Sequence, residues 1–141
     1  MSSTLIEQVP GEPIYIAHIN DSMGTAEHGK WLMQACSIVL NEQPGVVCLV
    51  LNFTDAALDF NGGVAMLAGA ARGGLAALSA DPRVQIVLAG RGTVPEMWLP
   101  AIEQRGIPGR EIPVFSTLAA ALDHARRSLP IGTPRAAGSP G

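Results

Sequence analysis

Short apolar stretches alternate along this chain with segments whose apolar residues recur at helical spacing. Ile14–Ile19 alternates Ile14, Ile16 and His18 against Tyr15, Ala17 and Ile19, the period of a strand. Val46–Leu51 is continuously apolar and bounded by turn residues, which predicts a strand buried on both faces. Val84–Ala89 repeats that pattern, and Ile112–Phe115 predicts a last short strand, with Pro113 placing it at an edge or a bulge. Leu5–Val9 adds an opening antiparallel strand ahead of the Pro10–Pro13 turn.

Between these lie the helices. Thr25 is positioned to cap a helix reaching Asn41, with Trp31, Leu32, Ala35, Ile38 and Val39 on its core stripe. A second row, Met33, Cys36 and Leu40, runs beside that stripe and exceeds what one sheet face requires. Asn61 caps a long helix over 62–80, with Val64, Leu67, Ala71, Gly74, Leu75 and Leu78 on one side. A short helix covers Met97–Gln104, and Ser116 or Thr117 caps a final one ending at Ser128. Alternation of strand and helix predicts a single α/β domain: a four- to five-stranded, mostly parallel sheet covered by about four helices. The domain spans residues 1–129, and the Pro-, Gly- and Ala-rich 130–141 reads as a disordered tail.

Composition narrows the function. A length of 141 residues suits one domain with its own core. The formal net charge of −3, with Lys30 the single lysine, lacks the basic face that phosphate backbones require, so nucleic acid is not an expected partner. No apolar run is long enough to cross a bilayer, and no signal-peptide pattern opens the chain. Cys36 and Cys48 sit in apolar patterns and read as small buried hydrophobes, which suits a reducing cytoplasm. Charged residues make up 15% of the chain, against about 25% in an ordinary domain, which leaves apolar surface for a partner.

Three stretches resemble the STAS-like domains of bacterial anti-sigma factor antagonists. The strand Val46–Leu51 leads through a loop into Asp59-Phe60-Asn61-Gly62 and a small-residue helix; Val84–Leu88 leads into a Gly-rich loop; and Ile112–Leu122 pairs a short strand ending in Phe with an Ala-Leu helix. The resemblance covers residues 5–129 and implies a regulatory protein-binding module with no catalysis of its own. It also implies a phosphorylatable serine before the second long helix. Phe60 and Asn61 stand at the serine positions here, and neither accepts a phosphoryl group. Thr54 is the substitute hydroxyl on the same loop.

Other chemistry finds little support in the residues. A phosphoacceptor receiver needs an acidic pair and a late lysine, whereas Asp55 and Asp59 stand with Asp21 alone and no lysine follows Lys30. His18, His28 and His124 lack metal-ligand spacing, so neither metal nor cofactor is expected. No Gly-x-Ser-x-Gly elbow is present. Gly90–Pro95 reads as a tight strand-to-helix turn before it reads as an anion loop. Gly69 and Gly73 are costly in a helix interior; they either admit a partner helix or are exposed positions where glycine has drifted in.

The expected binding surface therefore comprises Thr54, Asp55, Asp59, Phe60, Asn61, Gly62 and Met66, with Met33, Cys36 and Leu40 on the first helix, facing a protein partner or a second copy of the chain. The alternative is a carrier or sensor of a lipid-like or aromatic molecule. It would be held by the loops 20–24, 53–60 and 90–95 at the carboxyl end of the sheet, with Met97 and Trp98 as lining.

Overall fold

A computed structural model describes residues 6–19, 26–54, 60–108 and 111–129, with the backbone alone for Phe60, Thr93 and Val94. The chain runs β1 (Ile6–Gln8), β2 (Ile14–His18), α1 (Ala26–Asn41), β3 (Val47–Asn52), α2 (Phe60–Gly73), α3 (Leu75–Ala80), β4 (Val84–Ala89), α4 (Thr93–Arg105), β5 (Val114–Phe115) and α5 (Leu118–Ser128). The strands form one five-stranded sheet in the order β1-β2-β3-β4-β5. β1 is antiparallel to β2, and every later pair is parallel. The expected mostly parallel α/β domain is the fold observed.

Each parallel strand lies beside its predecessor in the chain. Right-handed crossovers between such neighbours carry every connecting helix to the same side of the sheet. The cores divide accordingly. Tyr15, Ala17, Leu49, Leu51, Ile86 and Leu88 face one way and pack with Leu32, Met33, Met66, Leu75, Trp98 and Ile102 from α1 to α4. Ile14, Ile16, Cys48, Val50, Val87 and Ala89 face the other way and pack with Ala121 and Ala125 of α5. One face thus carries the connecting helices, and the other carries α5. Every residue of β3 is buried, as a central strand between two covered faces requires.

α5 is held at both ends. The Thr117 hydroxyl caps its first turn, accepting from the Ala120 N–H at 3.1 Å. Arg126 in its last turn pairs with Glu12 at 3.0 Å. Ala121 and Ala125, one turn apart and fully buried, let the helix axis approach the sheet closely.

The helix phases differ from the expected ones. On α1 the core face is rotated: Leu32 of the expected stripe stays buried, and the second row joins it. Met33, Cys36 and Leu40 are core residues, whereas Trp31 and Ile38 are 48% and 64% exposed. The row Met33–Cys36–Leu40 therefore offers no partner surface. The expected helix over 62–80 is two helices, broken at Gly74, whose φ of +123° only glycine adopts without strain. On α2 the buried positions are Gly63, Met66, Gly69 and Ala70, while Val64 faces out. α4 begins at Thr93, four residues before the expected start, so Pro95 falls in its first turn and Pro100 in its interior. The last strand is reduced to its second half, at the sheet edge that Pro113 predicted.

Glycine explains the α1–α2 contact. A Cβ on Gly69 would overlap the Ala26 backbone, and one on Gly29 would overlap Met66 and Ala70. At Gly73 it would lie 2.9 Å from the Lys30 Cα. The helix that Gly69 and Gly73 admit is therefore α1 of the same chain.

Candidate functional site

The parallel strands β2, β3 and β4 end together at His18, Asn52 and Ala89, where loops converge in folds of this class. The β2–β3 register places His18 beside Asn52. Both side chains lie on the α5 side of the sheet, two residues beyond Ile16 and Val50 respectively.

A chain of hydrogen bonds crosses this edge. His18 Nε2 is 2.8 Å from Glu7 Oε1, which β1 supplies. Asn52 Nδ2 is 3.1 Å from His18 Nδ1. Asn52 Oδ1 accepts from the Thr54 N–H at 3.1 Å and from the Thr54 hydroxyl at 2.6 Å. Asn52 is one of the few polar side chains in the core, at 3% exposure. A buried amide left unbonded would cost about 1–3 kcal/mol, and here both ends of the amide are engaged. Thr54 itself is exposed.

This constellation is not a nucleophile–base pair. The hydroxyl of Thr54 donates to an amide oxygen, which is not a base, and His18 lies beyond that amide. It fixes the start of the β3–α2 loop to β2 and β1. The sequence carried a usable signal for it: an Asn closing an apolar run with a Thr two residues on, the signature of an Asx-type turn. What the pattern did not reveal was the register that brings His18 alongside.

Thr54 opens the expected binding surface, and Asn61 rejoins it, exposed, at the start of α2. Gly62 is half-buried beside it. Val64, 42% exposed, adds an apolar side chain one turn on. Met66 is fully buried and drops out of the surface with Met33, Cys36 and Leu40. The expectations for Asp55 and Asp59, for the Phe60 side chain, for the Thr25 cap and for the tail lie outside the described residues.

At the far side, Gly90 closes β4 with φ +135°, and a Cβ there would lie 2.9 Å from the Cβ of Phe53. Phe53 in turn meets Trp98 edge-on, with ring centroids 5.4 Å apart. Trp98 is fully buried, so it does not line the carboxyl-end loops as expected, and its Nε1 has no hydrogen-bond partner among the described residues. A cleft of about 360 Å³ lies where the expected 90–95 loop meets α4 and β5, with Leu99, Val114 and Phe115 as apolar walls and Arg91 and Glu96 as charged ones.

The remaining reactive groups are dispersed. His28 meets Trp31 on α1, and His124 of α5 meets Phe115 at a tilt, with ring centroids 5.2 Å apart. Among the described residues no three His, Cys, Asp or Glu side chains converge as a metal site would need. Burial pushes the Cys36 and Cys48 thiols up to about 12. No described helix is long and apolar enough to cross a membrane. No family model matches the chain, and neither a curated protein nor a solved structure matches it.

Proposed function

We propose that this chain is a non-catalytic protein-interaction module of the anti-sigma-factor-antagonist kind. Its partner face is the β3–α2 loop from Thr54 with Asn61, Gly62 and Val64. The observation that carries this reading is the exposed Val64 beside exposed Asn61, where the loop that Thr54 anchors becomes a helix. An apolar side chain turned to solvent beside an exposed amide at the start of a helix has the composition of a binding surface. Asn61 stands where the resembled family carries its serine, so this module lacks that phosphoswitch. Thr54 is the one hydroxyl between residues 54 and 61.

Trp31 and Ile38, seven residues apart on the outward face of α1, offer a separate apolar row for a second copy of the chain. Light scattering that shows a monomer at every concentration would remove this part of the reading.

The test is site-directed photo-crosslinking in cells, with the crosslinker at position 64 or at exposed Gln104 on α4. A discrete adduct from 64 alone, abolished by Asn61→Arg, is the expected result. Equal adducts from both positions would reject the partner face.

The cleft beside Leu99, Val114 and Phe115 favours a second reading, a carrier or sensor of a small apolar molecule. Native mass spectrometry separates the two. A retained small ligand supports the carrier, and a bare chain that still forms the position-64 adduct supports the module.

A further inference from the structure

The polarity of the Glu7–His18–Asn52–Thr54 chain is dictated from its Thr54 end. A backbone N–H can only donate, so the Asn52 atom facing Thr54 is Oδ1, and the Thr54 hydroxyl gives its proton to the same oxygen. Nδ2 is thereby turned to His18 Nδ1 at 3.1 Å. An amide nitrogen also only donates, so Nδ1 must present a lone pair. The proton of the neutral ring then sits on Nε2 and is donated to Glu7 at 2.8 Å.

From this we propose that proton uptake by His18 and the hydrogen bond from the Thr54 N–H to Asn52 exclude one another, which makes the chain a proton-operated latch on Thr54 at the end of β3. A second ring proton has only Nδ1 to occupy, where it meets the Asn52 amide head-on, donor against donor. Turning the Asn52 amide over relieves the conflict by presenting Oδ1 to the ring. The same turn sets NH₂ against the Thr54 N–H and removes that bond, while the Thr54 hydroxyl reverses its role and accepts from Nδ2. His18 is the residue type suited to such a device, because imidazole changes charge near neutral pH.

Among the described residues, the groups around the ring leave this exchange intact. β1 contributes Glu7, which accepts the Nε2 proton in either state. β3 contributes the neutral amide of Asn52. α5 covers the same face but commits Arg126 to Glu12 and Arg127 to Asp123, while His124 lies on Phe115. The latch acts on the loop assigned above to a partner, but it is read on the free protein, so it stands or falls separately from that assignment.

The experiment is nitrogen-15 NMR of the full chain from neutral to mildly acidic pH. It follows both His18 ring nitrogens and the Thr54 amide. At neutral pH, Nδ1 should show the shift of an unprotonated nitrogen. On acidification the Thr54 amide shift should follow the His18 midpoint, and its protection against hydrogen exchange, measured relative to the intrinsic rate at each pH, should fall about tenfold, the equivalent of one lost hydrogen bond. In Asn52→Asp a carboxylate accepts from both sides at once, so His18 should titrate while the Thr54 amide stays in place. A neutral-state proton on Nδ1, or a wild-type Thr54 amide indifferent to His18, overturns the proposal. The wild-type titration decides the matter even if the variant does not fold.

Discussion

Cys36 and Cys48 show how burial alone sets chemistry at the scale of one residue. Each is fully buried, on opposite faces of the sheet, and burial raises both thiols from 9.0 to about 12. The thiolate is the reactive form, so both should resist iodoacetamide at pH 8 in the native state and react fully in denaturant. Mass spectrometry of the alkylated chain reads this directly; modification at native-state equilibrium within minutes would contradict the packing. The same shifts predict the alkaline response. Below the ordinary thiol value both states keep their protons and stability is unaffected. Between about pH 9 and 12 the unfolded chain ionises first, so stability falls across that window. The two cysteines were legible as buried hydrophobes from their apolar neighbours. Asn52 was not, because its role depends on partners thirty-four residues away on β2 and two residues along its own loop.

Among elements, the α1–α2 pair depends on glycine where the backbones touch. Gly69→Ala places a methyl group into the Ala26 backbone, which cannot withdraw as a flexible side chain can. We predict a loss of about 2–3 kcal/mol from overpacking, despite alanine's better helix propensity. Gly45→Ala, with open space around its Cβ position, should stay within about 0.5 kcal/mol of the parent. Chemical denaturation of the two variants compares them; equal stabilities would mean the helices do not touch at Gly69. These helices also mark where reading by pattern gave out. Strands and their order were accessible because apolar runs and turn residues punctuate them. The phase of α2 was not, since Gly, Ala, Val, Leu and Met fill it on nearly every side and leave no polar stripe to orient it. On α1 two apolar rows competed, and the row compatible with a close neighbour at Gly29 became the core. Apolar Trp31 and Ile38 were left outside, a result no periodicity count distinguishes.

For the molecule as a whole, the two sheet faces are unequally covered. α1 to α4 share one face, and the other rests on α5. Ending the chain after Phe115 would uncover Ile14, Ile16, Cys48, Val50 and Val87 together. We predict that such a chain loses cooperative thermal unfolding and binds a hydrophobic dye, whereas ending it after Leu129 preserves both properties of the parent. A sharp melting transition in the shorter chain would show that α5 is dispensable. The carboxyl-end site belongs to this scale as well, since it is assembled only when β1, β2 and β3 are in register.

Strand order identical to chain order has a consequence during synthesis. Each new strand finds its neighbour already made, so the sheet can lengthen unit by unit as the ribosome delivers it, without waiting for a distant segment. The helix that seals the second face is translated last among the elements. Until it emerges, the growing intermediate carries a bare oily surface on one side, and that is the interval in which chaperones would have most to do.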